Sequence, residues 1–71
     1  MHYTDKTHFF RDADDNRTVV ITTLVAAGEY QADLIETTDG ALELLNLSGH
    51  GATRLEAIAD LNEKIQAELN Q

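Results

Sequence analysis

Hydrophobic positions along this chain change period twice, and the changes mark its elements. Thr18 to Val25 reads Thr-Val-Val-Ile-Thr-Thr-Leu-Val. Such density of β-branched side chains predicts a strand. Glu29 to Glu36 alternates, with Tyr30, Ala32 and Leu34 on one parity and Gln31 and Asp33 on the other, the pattern of a half-buried strand. From Leu55 the spacing lengthens to three and four: Leu55, Ile58, Leu61, Ile65 and Leu69, with Arg54, Asp60, Glu63 and Lys64 between them. That is the apolar stripe of an amphipathic helix. Thr53-Arg54-Leu55-Glu56 has the form of a capping box, with the Thr53 hydroxyl accepting an amide of the first turn and Glu56 reaching back to the cap. Asp60 and Lys64 stand four apart, placed to pair along the helix.

Shorter signals fill the rest. Thr7 to Arg11 reads as a short strand, and Asp12 to Asn16 as a turn, because Asp and Asn side chains bond to their own backbone. Asp39-Gly40 is a dipeptide favoured in two-residue hairpins. Residues 41–47 then form a returning strand, although their composition also suits a short helix. Ser48 to Ala52 is read as a loop. The expected architecture is α+β: an antiparallel β-meander of three to four strands with one C-terminal amphipathic helix packed on one face, in a single small domain spanning residues 1–71.

One conflict in this pattern points toward function. Strand 18–25 is apolar on both parities, with Val19, Ile21 and Val25 on one and Val20 and Leu24 on the other. Leu42 and Leu44 against Leu45 and Leu47 repeat the conflict. A single helix covers a single sheet face, so the second face is left apolar, and contiguous apolar patches mark interaction sites. The candidate interface is Val20, Leu24, Leu42 and Leu44, with Asp33 and Glu43 as neighbouring charge determinants. A second copy of the chain is its simplest occupant. The competing expectation is that the N-terminal aromatics Tyr3, Phe9 and Phe10 fold over it.

Composition narrows the classes. With 71 residues the core is small, and domains of this size commonly lean on disulfides, metals or association. There is no cysteine, which removes disulfides and fits a reducing compartment. The N-terminal residues are polar, without the apolar core of a signal peptide, and no apolar run approaches membrane-spanning length, so the expectation is a cytoplasmic protein with no membrane contact. The formal charge is −8, and residues 18–52 hold five acids with no Lys or Arg. No basic cluster is available to neutralise phosphates, which argues against direct nucleic-acid binding. The acidic surface favours solubility and basic partners.

Candidate chemistry is sparse. Asp12-x-Asp14-x-Asn16 opens like a calcium loop, but Arg17 and Thr23 stand where the glycine and bidentate glutamate belong. His2, His8 and His50 lack metal-ligand spacing, so neither metal nor cofactor is expected. Ser48 and His50 have no nucleophile elbow around them. The alternative to an interaction module is a small-ligand or metal-binding site built from Ser48, His50 and Thr53 at the start of the helix. Glu36 and Glu43 face each other if Asp39-Gly40 is the turn, and they splay into water at the sheet end. No catalytic constellation emerges.

Tyr30-x-Ala32-x-Leu34, the Asp39-Gly40 turn, Leu47-Ser48-Gly49 and Gly51-x-Thr53-x-x-Glu56-Ala57-Ile58 together resemble the N-terminal domain of HicB-type antitoxins over residues 30–65. The resemblance implies a sheet-plus-helix module that binds a partner protein, a toxin in that family. The proline and cysteine of the family's turn are missing, and nothing here matches its DNA-binding segment. The sequence reading is therefore a non-enzymatic protein-interaction module, a small acidic adaptor or antitoxin-like inhibitor that self-associates through its uncovered sheet face.

Overall fold

The structure, a computed structural model, describes residues 5–38 and 46–70. Four strands follow one another in a single antiparallel sheet of order β1-β2-β3-β4: β1 (Lys6–Arg11), β2 (Arg17–Ala26), β3 (Glu29–Thr37) and β4 (Ser48–Gly51). The helix α1 (Arg54–Leu69) closes the chain. This is the α+β meander that the periodicity predicts. Residues 41–47 were expected as the returning strand; 41–45 lie outside the described residues, and the strand begins at Ser48.

Local chemistry fixes the connections. In the β1–β2 turn, Asp12 accepts the amides of Asp14 at 2.9 Å and Asn16 at 3.0 Å, and its other oxygen takes the Asn16 side-chain amide at 3.1 Å. The Asp12 carboxylate thus folds the loop onto itself, and these hydrogen bonds hold its pKa below the ordinary value. The helix starts as the capping box requires, with Glu56 N–H donating to the Thr53 hydroxyl at 3.1 Å. The Glu56 carboxylate reaches one residue further back than expected and accepts from Ala52 N–H at 3.0 Å.

Ser48 to Gly51 is a strand and not the loop expected from its two glycines. Gly49 pairs with Ala32 and Gly51 with Tyr30. What overrides the poor β-propensity of glycine is the helix. A methyl group at Gly49 would run into the backbone of Leu61 and Ala57, and one at Gly51 would come within 2.6 Å of the Ala57 amide nitrogen. Only residues without a β-carbon let α1 settle this close to β4. Across the seam, Asp60 accepts the His50 amide at 2.9 Å, and Lys64 donates to the Ser48 carbonyl at 2.7 Å while pairing with Asp60 at 3.2 Å. The expected i,i+4 pair therefore also pins the helix to the sheet edge. The His50 amide, more than Lys64, holds the Asp60 carboxyl below its usual range.

The core is correspondingly small: Val20, Ala32, Leu34, Ala57 and Leu61, flanked by Tyr30, Leu47, Ile58 and Ile65. All lie between the sheet and α1. The helix runs along β4 and β3 and barely reaches β2.

Candidate functional site: the uncovered sheet face

Register decides which residues share a face, because directly opposed residues of an antiparallel pair point the same way. Val20 pairs with His8 and Leu34, and Thr22 with Lys6 and Ala32. With Gly49 and Gly51 these make the covered face. On the opposite face, Phe9 pairs with Val19, and Thr7 with Ile21, whose other neighbour is Asp33. Thr23, Gln31 and His50 complete a polar row beyond them.

This corrects the sequence reading of the interface. Val20 is 2% exposed beneath the helix, so it is a core residue and not a contact residue. Leu24 has the same parity, pairing with Tyr30, and it is exposed on β2, the strand that α1 barely reaches. Asp33 does lie on the uncovered face, beside Ile21, and accepts a hydrogen bond from the Gln31 side chain at 2.8 Å. Leu42, Glu43 and Leu44 lie outside the described residues. The apolar positions of the uncovered face are instead Phe9, Val19 and Ile21, continued by Ile35 and Val25 at irregularities in the β2–β3 pairing. Phe9 is 76% exposed, and Ile35 and Val25 are each 49% exposed. The signal that separates the parities was present in the sequence: Ala32, Gly49, Gly51 and Ala57 are the small residues that mark where sheet and helix backbones close in.

One end of the face is charged. Arg11 and Arg17 stand opposite each other across β1 and β2. Arg11 pairs with Asp15 at 3.3 Å and Arg17 with Glu36 at 3.8 Å. These exposed pairs stabilise little. They rim a shallow hollow whose floor is Phe9 and Val19. The Phe9 ring was expected as a possible cover for the apolar face; here it is part of that face.

A second cluster, which sequence reasoning missed, sits on the covered side. Thr22 is fully buried. Its hydroxyl lies 2.8 Å from His8 Nε2 and 2.9 Å from Arg54 Nη1, and Arg54 also donates to the Thr22 carbonyl at 2.9 Å. The guanidinium lies over the Tyr30 ring at 4.8 Å. Arg54 opens the helix, where the macrodipole disfavours a cation, so its position answers to the sheet and not to the helix. No periodicity links residues 8, 22 and 54, and this is why the cluster was invisible in the sequence. Desolvation, then the charges of Lys6 and Arg54, lower the His8 pKa from its ordinary 6.5.

That depression has a sign. As pH falls, the unfolded chain takes up the His8 proton before the folded one does. His8 therefore contributes stability above about pH 6.5 that is lost progressively below it. Denaturation midpoints should fall between pH 7.5 and 5.5, and His8→Gln should flatten this slope. A variant with an unchanged slope would remove His8 as the cause.

The sequence-predicted ligand residues are not gathered. Ser48 and His50 share the uncovered face of β4 through their pairing with Asp33 and Gln31. The Thr53 hydroxyl is engaged by the helix amide. Among the described residues no group of three His, Asp or Glu side chains is placed to hold a metal, and no helix is long and apolar enough to cross a membrane. A scan against protein-family models, a search of curated proteins and a search of solved structures each found no match.

Proposed function

We propose that this domain is a non-enzymatic protein-interaction module, an acidic adaptor or inhibitor, that self-associates, with its contact surface on the sheet face turned away from α1. One observation carries the reading: the most exposed aromatic ring of the sheet, Phe9, lies in a row with Val19, next to Ile21, on a face that no described element covers. Burying each such side chain is worth about 1.5–3 kcal/mol before association costs. The Arg11–Arg17 end gives the surface a charged rim in which Asp15 and Glu36 balance the two guanidiniums. The likeness of residues 30–65 to HicB-type antitoxins supports the same class of role, with a protein partner.

Phe9→Asp is the direct test. The side chain is exposed and contributes nothing to the core, so the variant should keep its melting temperature within a few degrees. Native mass spectrometry should show the assembly fall to single chains. An unchanged mass distribution would refute Phe9 as part of the contact.

A further inference from the structure

Beyond the face itself, no strand among the described residues pairs with the outer edge of β1. Natural proteins protect edge strands with prolines, bulges, inward-pointing charges or very short strands. The opposite edge follows that rule: β4 is four residues long, and the helix side chains of Asp60 and Lys64 occupy its amide and carbonyl at His50 and Ser48. β1 does not. It is six residues long, the chain has no proline, and its pairing with β2 is regular from Lys6 to Arg11, whereas the irregularities fall between β2 and β3. Exposed aromatics flank it on both faces, Phe9 on the uncovered side and Phe10, stacked with His8 at 6.3 Å, on the helix side.

The geometry points to β1 as the seam between two copies of this chain, joined antiparallel into one eight-stranded sheet. A two-fold axis normal to the sheet keeps each face continuous, so a residue meets only partners of its own parity. Pairing β1 with itself about Phe9 satisfies this. Phe9 then faces Phe9 of the other copy, His8 faces Phe10, Thr7 faces Arg11, and Lys6 faces Asp12. Lys6 gains an acid, having no ion-pair partner among the described residues, and the Arg11–Asp15 pair is left intact. A register shifted by one residue is excluded by parity and would oppose Lys6 to Arg11. Centring on His8 would set two imidazoles against each other and Phe10 against Lys6. Aromatic cross-strand pairs and opposite charges are the contacts that favour a register. The joined sheet carries both uncovered faces side by side, with the Phe9 pair at its centre. The inference rests on the self-association reading and moves its seam from the face to the β1 edge, with Phe9 the residue common to both.

Absence of cysteine in the chain makes the test clean. In this register Phe9→Cys places one sulfur opposite its own copy, within disulfide reach. Thr7→Cys separates its sulfurs by four residues, about 13 Å along the strand. Under mild oxidation at about 10 μM, Phe9→Cys should cross-link at least tenfold faster than Thr7→Cys. An equimolar mixture of Thr7→Cys and Arg11→Cys, which keeps Phe9, should cross-link as heterodimers faster than either alone. Dimers by native mass with none of these preferences would overturn the β1 seam and leave face-to-face association standing. Single chains at 100 μM for the wild type, without cross-linking in any variant, would overturn the seam and the self-association together.

Discussion

Gly49→Ala should destabilise this domain by about 3 kcal/mol or more, the upper end of what overpacking costs. The added methyl meets the backbone of Leu61 and Ala57, and backbone cannot rotate aside as a side chain can. Relief requires α1 to lift from β4, which opens the core at Ala57 and Leu61 and strains the His50–Asp60 and Ser48–Lys64 bonds. At 0.05–0.15 kcal/mol per residue, a chain of this length has roughly 4–10 kcal/mol of stability in all. The expected fall in melting temperature is about 12–24 °C, at 4–8 °C per kcal/mol. A fall of less than about 5 °C would mean that the helix does not depend on glycine at this seam.

Arg54→Met carries the second-largest expected effect, about 2–3 kcal/mol, measured by urea denaturation. Methionine keeps the apolar stem but removes both Nη1 hydrogen bonds to Thr22 and the cation over Tyr30. Hydrogen bonds from charged donors contribute about 1.5–3 kcal/mol, while the Thr22 hydroxyl keeps His8 as a partner. Arg54→Lys should fall between the two, since an ammonium still donates to Thr22 but lacks the planar guanidinium that stacks on the ring. If Arg54→Met loses less than about 0.5 kcal/mol, the cluster is ornament on the sheet and not part of its support.

These two positions also show where sequence reading succeeds and where it stops. The helix and its cap were legible, because Thr53 and Glu56 carry their chemistry locally and Leu55 to Leu69 repeat at helical spacing. Strands β2 and β3 were legible from β-branching and alternation. β4 was not, since its glycines disfavour a strand by themselves and are required only by the helix that lies across them. The same long-range fact decided the interface. Val19 and Val20 are equivalent by composition, and only the small residues at 32, 49, 51 and 57 say which of them is covered. Thus apolar residues on both parities were read correctly, while the interface was assigned to the parity of Val20 and Leu24, which faces the helix side of the sheet. The Thr22–Arg54 contact spans 32 positions, and no local pattern announces it.

The most direct measurement of self-association is the native mass of the wild-type chain across a concentration series from about 1 to 100 μM. The expected result is a species at twice the 7.9 kDa chain mass that predominates by about 10 μM, equivalent to an affinity near −7 kcal/mol. A chain that remains single at 100 μM would contradict the proposal that this domain works by associating through its open sheet.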